Sequence, residues 1–589
     1  MVVLGKRQFA HSSEGSASFD IADYSEAEEG CDAQFLKRPQ GGPRPPDPHL
    51  FGGVQTVGAN GRPVDPVLSK FAAPIPFFRN SLDCASASEE EFKAVWQRWW
   101  VLSIVSAIAL AQSVAWHTFS PIGPTVQMLF ALDGETITLL VYWGPVGYLL
   151  AMAPFSWLLD HCGLRPSSLV ATTLVALGAL LRFMWTQPFI TVGRGGQSTT
   201  LLHLGQLTNA LAGPFAMSAG PVVSTHWFPP EERTTATAIA TMANYAGAAA
   251  AFVAGPCLVP SADTDTSSSP AADEEVAKTP SDLVAASSAI QRYMFYQVIV
   301  AASLLVTSVC CLPGVPSAPP SRSACIERVS IWIGWRQLKR HRGFWNCFYA
   351  FMLIYGFYGA WGSLLWPNLG NLVGDEDRNV RWYVIRDEAG WLGFWAACAG
   401  CAGSICVSFK ADQTFQRRLF GHMDSIAPNP IQRYLPPANK PLLKYVCLLV
   451  QVAGGVLFIP LGLICMGLAP NINVVVYSSC MLSAFCISST TPLLYELALE
   501  ATFPLGEGLT SCVLAAGNMA ACVFFQALFL TLSAIPKVGT QWMNWGVLAT
   551  FATGFDGVLA IACILAYPEK LTRSAIDLGK GHAVDVVMG

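Results

Sequence analysis

Charge is what this sequence has least of. Lys, Arg, Asp and Glu make up 13% of its 589 residues, against about 25% in soluble domains, so most of the chain cannot face water. Paired cysteine spacings are missing as well. The 18 cysteines lie mostly inside apolar runs, as Cys310, Cys311, Cys398, Cys401, Cys465 and Cys480 do. They read as small buried residues and not as a disulfide or zinc framework. No apolar run precedes residue 99, so no cleavable signal peptide is expected, and the first helix itself directs insertion. There is no G-x-x-x-x-G-K-[ST] loop, which leaves ATP drive unsupported. An H-E-x-x-H helix and a catalytic His/Cys/Asp cluster are also missing, so neither an enzyme nor a metal or cofactor is expected. A net charge of -4 implies no nucleic-acid partner.

Apolar length is what the chain does have. Twelve stretches read as membrane spans: 99–129, 137–159, 168–185, 200–227, 236–259, 293–312, 344–365, 390–409, 442–468, 474–499, 508–532 and 545–567. A bilayer core takes about 20 residues of helix, and only helices or closed barrels satisfy the backbone there. The signature F-P-x-x-E follows the fourth stretch, as Phe228-Pro229-Pro230-Glu231-Glu232. It follows the tenth as Phe503-Pro504-Leu505-Gly506-Glu507. The expected fold is therefore all-α and membrane-embedded, with twelve transmembrane helices in two pseudo-symmetric six-helix bundles. The divisions are a solvated tail over 1–95, bundles over 96–312 and 344–567, a basic linker over 313–343 and a second tail over 568–589. The first tail is rich in Gly, Ser and Pro and serves either as a plain tail or in sorting and regulation.

Bases set the orientation. Arg322, Arg328, Arg336, Lys339, Arg340 and Arg342 lie between stretches six and seven, and Lys410, Arg417, Arg418, Arg433, Lys440 and Lys444 near the connection from eight to nine. Both groups share a side with the tails, so both termini are expected in the cytoplasm. The opposite side carries an acidic loop with Asp263, Asp265, Asp273, Glu274, Glu275 and Asp282. Residues 326–342 mix Trp332, Ile333 and Trp335 with bases, which fits either an amphipathic surface helix or a basic linker.

Between stretches two and three stands Asp160-His161-Cys162-Gly163-Leu164-Arg165. This D-x-x-G-x-R pattern, in that place, resembles the signature of the major facilitator superfamily. Asp160 and Arg165 would cross-link helices, with Gly163 permitting the turn. Such a latch favours one of two rocking states. Glu232, Arg233, Glu500 and Glu507, at the two F-P-x-x-E elements, join it as latch candidates. The corresponding place in the second half, Lys410-Ala411-Asp412 with Arg417, keeps only the charges.

Other runs point to a narrower group. Trp143-Gly144-Pro145-Val146-Gly147, Trp157-Leu158-Leu159-Asp160 and Gly163-Leu164-Arg165 resemble the feline leukemia virus subgroup C receptor-related family. Leu207 to Pro214, Ser224-Thr225-His226-Trp227-Phe228 and Glu232 to Ala240 are similar to its branch named after "disrupted in renal carcinoma 2". The resemblance implies a monomeric solute carrier. The wider family is linked with choline, ethanolamine and haem, the branch with lysosomal membranes and proton-driven pyridoxine export. No acidic di-leucine signal is evident in the tail, which leaves the plasma membrane as the alternative location. The choline carriers' first-helix tryptophan and fourth-helix glutamine fall near Ser113 and Gly213.

In this architecture stretches one, four, seven and ten line the cavity, with substrate near the midplane. Gln112, Trp116, Gln206, Asn209, Tyr355 and Trp361 are the substrate-binding candidates, and Tyr355 matches the family's cation-binding aromatic. Ionisable residues inside spans are few and therefore informative. Glu496, His117 and Asp556 are the candidates for proton coupling. Glu496 has a second reading, a salt link to a cytoplasmic base, and Arg182 reads as snorkelling to the far interface. The expected function is proton-coupled export of pyridoxine by alternating access. The alternatives are an organic-cation carrier of the choline type and a non-transporting nutrient sensor.

Overall fold

A computed structural model describes residues 94–132, 134–187, 199–259, 280–326, 328–356, 358–359, 378–420, 442–465, 468–470, 472–533 and 572–577. The N-terminal tail, most of the acidic loop, Trp361 and the twelfth stretch with Asp556 lie outside the described residues. The apolar runs become α1 (Gln97–His117), α2 (Phe119–Phe130), α3 (Gly134–Trp157), α4 (Leu164–Trp185), α5 (Thr200–Leu211), α6 (Gly213–Trp227), α7 (Arg233–Leu258) and α8 (Pro280–Cys311). Then come α9 (Ile331–Leu338), α10 (Arg342–Phe351), α11 (Arg378–Phe420), α12 (Leu442–Cys465), α13 (Asn473–Thr502), α14 (Glu507–Ser533) and α15 (Thr572–Asp577). Among the described residues nine helices are long and apolar enough to cross a membrane. The first stretch divides at Thr118 into α1 and α2, and the fourth divides at Ala212 into α5 and α6. Pro214 sits in the first turn of α6, where its missing N–H costs nothing. Both α8 and α11 run well past the expected boundaries, because helix continues into polar sequence once its apolar part is anchored.

Among the described residues a large apolar core forms in each half of the chain, with smaller clusters beside them. Val101, Val105, Phe155, Phe215, Val223 and Phe228 pack in the first. Phe344, Phe351, Tyr355, Leu494, Leu497 and Leu514 pack in the second. The outer surface stays apolar, with Leu110, Leu150, Leu177, Ile299, Leu449, Val456 and Phe524 exposed, as a lipid-facing belt requires. Cys310, Cys311 and Cys398 lie on that outside, not in the core as their small size had suggested, while Cys447, Cys480 and Cys512 are buried. Close approach relies on small residues. A Cβ on Gly178 of α4 would come within 2.7 Å of the Gly205 carbonyl on α5.

After α3 a π turn (Leu158–Cys162) ends at Gly163, with φ 87° and ψ -176°. That region costs any other residue about 1–3 kcal/mol. A Cβ there would meet nothing within 4 Å, so the backbone angle alone demands the glycine.

Candidate functional site

The polar contacts gather where α3 ends and α14 begins, the basic end of the bundle. The Asp160 carboxylate accepts the backbone N–H groups of Gly508 (2.6 Å) and Leu509 (2.8 Å), in the first turn of α14. Those are donors that a helix start leaves without partners, and a carboxylate also matches the helix dipole. Asp412, on α11, does the same in reverse. It accepts the N–H (2.8 Å) and hydroxyl (2.7 Å) of Thr235 in the first turn of α7. Each half of the chain thus sends an aspartate to the start of a helix in the other. The place where the sequence kept only charges holds a working counterpart of Asp160. Arg165 turns the other way and donates to the Val309 carbonyl of α8 at 3.0 Å.

Both F-P-x-x-E elements build an arginine clamp. Glu232 pairs with Arg98 at 3.0 Å, and the guanidinium sits 5.8 Å from the Phe228 ring centroid. Glu507 pairs with Arg328 (2.8 Å from Nε), 4.9 Å from the Phe503 ring. The ring and the carboxylate hold one cation from two sides. The first clamp is partly open to solvent and the second is buried.

The short helix α15 closes the same end. Arg573 donates to Glu496 and, at 3.1 Å, to Glu500, and its other nitrogen reaches the Thr225 hydroxyl at 3.3 Å. Asp577, one turn on, pairs with Arg233 at 2.9 Å and accepts from Ser323. Glu496 reaches into the first half as well, accepting from Thr237 (3.0 Å) and Ser224 (3.4 Å). The salt-link reading of Glu496 therefore has its base, Arg573. Burial works against the Arg573 charge, but Glu496, Glu500 and Asp577 more than offset it and hold the guanidinium above its ordinary range. Arg573 therefore stays charged at every accessible pH.

Deeper in, the polar candidates of the first half bind one another. Asn209 donates to the Gln112 carbonyl (3.1 Å) and Gln206 to the Trp116 carbonyl (2.8 Å), pinning α5 along α1. Arg182 is fully buried, donating to the Ala115 carbonyl and to Gln206 at 3.3 Å. It does not snorkel, because the carbonyls at the end of α1 offer its cation a partner inside the bundle. Trp116 donates to the Val141 carbonyl at 2.9 Å and packs against the cluster of Tyr148 with Ala515, Ala516 and Met519 of α14. His117 donates Nδ1–H to the Ser113 carbonyl at 3.0 Å. The Tyr355 hydroxyl bonds the Ile487 carbonyl and, at 2.7 Å, Thr490.

Between the halves lies a small recess, lined by Met217, Thr241, Asn244, Tyr245, Phe351, Thr491 and Tyr495. Gln112 stands behind it, accepting from Asn244 at 3.4 Å. Tyr355 stacks behind Phe351 at 4.9 Å. Tyr495 donates to the Met217 carbonyl across the halves at 3.3 Å, and the next residue is Glu496. The sequence reading missed Thr241, Asn244, Tyr245, Thr491 and Tyr495. Spacing could have found them: Thr241 with Tyr245, and Thr491 with Tyr495, each make a polar-aromatic pair four apart on one helix face.

Residues 105–529 match the profile of the Major Facilitator Superfamily. The fold agrees. The structure of the transporter FucP in its outward conformation superposes with a TM-score of 0.52, over 78% of this chain and 98% of that one, at 15% identity. The proton:xylose symporter XylE gives 0.52 over 82% and 99%, at 11% identity. A helical bundle with this profile and this sealed end is a major facilitator, and the chain belongs to that superfamily of transporters, whose family and fold are not those of enzymes. Within it the chain belongs to solute carrier family 49. The "Solute carrier family 49 member 4 homolog" of Xenopus tropicalis is 31% identical over 82% of this chain and 93% of its own length. A "Choline/ethanolamine transporter FLVCR1" of Mus musculus is 24% identical over 77% and 74%.

Proposed function

We propose that the chain is a proton-coupled transporter for a small, ring-bearing polar solute of the pyridoxine type, carrying it out of the lysosome by alternating access. The observation that carries this reading is the recess lined by Tyr495, the residue that precedes Glu496 on α13. Its Tyr245, Phe351 and Tyr495 suit stacking on a pyridine ring, while Asn244, Thr241 and Thr491 suit hydroxyl groups. Trp116 flanks this region, and Gln112, Gln206, Asn209 and Tyr355 act from behind by holding the lining helices in place. Glu496 joins both halves through Thr237, Ser224 and Arg573. A proton on Glu496 removes its attraction for Arg573 and loosens the basic end, which links proton arrival to opening on the cytoplasmic side. His117 and Asp556 remain candidates for further proton steps, and Trp361 for substrate contact.

A second reading, an organic cation of the choline type, is favoured by the same three rings, which can hold a quaternary ammonium over their faces. Uptake of labelled pyridoxine and of choline into cells with the protein at their surface, at about pH 5.5 and about pH 7.5, separates the two. The first reading expects acid-stimulated pyridoxine uptake that a protonophore abolishes. In Glu496→Gln that stimulation is lost while binding persists. Uptake of choline alone, indifferent to pH, selects the second reading.

A further inference from the structure

We infer that the exposed face of α9 is a docking surface for anionic phospholipid headgroups, and that lipids seated there hold the basic end of the transporter closed. Four bases, Arg336, Lys339, Arg340 and Arg342, are exposed on α9 and the few residues after it. Trp332 is 79% exposed and Ile333 52%. The sequence holds no acidic residue between 328 and 356. Tryptophan and bases together mark the headgroup layer, where a ring meets apolar chain and a cation meets phosphate. The depth is right. The opposite face of α9 rests on the first turn of the membrane-spanning α14, since a Cβ on Gly334 would lie 3.2 Å from the Leu509 side chain. Leu338 is buried in the same core as Phe344 and Leu505. Two helical turns offer far less than the roughly 800 Å² per partner that a stable protein interface uses, so lipid fits this surface better than a folded partner.

The link to the seal runs through contacts already described. The Val329 N–H donates to the Pro504 carbonyl at 3.4 Å, and Arg328 pairs with Glu507. The Leu509 that α9 covers is the residue whose N–H binds Asp160. Lipid that presses α9 onto Leu505 and Leu509 therefore stabilises the turn on which the Asp160 contact depends.

The test uses the full chain in nanodiscs of phosphatidylcholine alone or with about 20% phosphatidylserine. Dansyl-labelled phosphatidylserine reports binding by energy transfer from tryptophan. Alkylation of Cys512, read by peptide mass, reports opening, because Cys512 is fully buried and Tyr148 bonds its carbonyl at 3.1 Å. The expected result is salt-sensitive capture of the labelled lipid and Cys512 alkylation slowed severalfold by phosphatidylserine. Each base removed should weaken capture by up to about fivefold. In R336E/K339E/R340E/R342E both effects should vanish while the protein stays monodisperse. In I333S, with Trp332 as energy donor and all four bases kept, capture should weaken without vanishing, which guards against a charge variant that merely misfolds. Equal capture by the charge-reversed chain overturns the docking surface. So does full displacement of the lipid by soluble inositol hexakisphosphate at matched phosphate concentration, which assigns the bases to a soluble anion. Capture with no change at Cys512 overturns the link to the seal.

Discussion

Arg573 holds two buried carboxylates at the basic end, Glu496 and Glu500. Removing one partner of a buried ion pair costs about 3–5 kcal/mol, because the other charge is left without compensation. Arg573→Met takes the guanidinium from Glu496 and one of the partners of Glu500, so the detergent-solubilised protein should lose several degrees of melting temperature in a thermal-shift assay. Adding Glu496→Gln to Arg573→Met should recover part of that loss. A second loss on top of the first would mean that the pair does not stabilise the seal. This cluster was half legible in the sequence. Glu496 stood out as a carboxylate inside an apolar run, but nothing in the order of residues marked Arg573, which follows the last apolar stretch and reads as tail. Arg182 was misread for a related reason: hydropathy shows that a residue lies in a span, not which carbonyls its span meets. Gln112, Gln206 and Asn209 were legible as buried polar groups. That they would bind one another's helices depended on the α1–α5 contact, which no local pattern encodes.

The two arginine clamps show what a repeated motif is for at the scale of an element. Phenylalanine and glutamate of each F-P-x-x-E grip an arginine, Arg98 at the start of α1 for one and Arg328 in the linker just ahead of α9 for the other. The sequence showed the repeat but not the arginines, since each lies far from its clamp along the chain. Unequal burial makes the clamps unequal in strength. The Glu232 side chain is 33% exposed and that of Glu507 3%. Glu232→Gln should therefore change stability by about 1 kcal/mol or less. Glu507→Gln strands a buried cation and should cost about 3–5 kcal/mol. Thermal unfolding of the two variants side by side measures the difference, and equal losses would contradict it. Helix positions were legible throughout the described spans, because a bilayer dictates their length. The breaks at Thr118 and Ala212 were hidden, since both halves of each stretch are equally apolar.

Across the whole molecule the seal has two-fold character, with Asp160 and Asp412 each capping a helix in the opposite half. Asp160→Asn and Asp412→Asn should each raise Cys512 alkylation by roughly tenfold, the factor for about 1–2 kcal/mol of lost capping. Together they should act more than additively, since one cap resists opening while the other is gone. Strict additivity would show that the two caps open independently. The position of α15 bears on how the molecule is made. A ribosome releases Glu496 and Glu500 before it has translated Arg573, and membrane helices begin to assemble as they emerge. Until that last short helix arrives, Glu496 of the nascent bundle lacks the guanidinium it pairs with in the finished protein. A chain that stops short of residue 573 therefore lacks the contact that joins its last helix to Glu496, so closure of the basic end waits on the completion of synthesis.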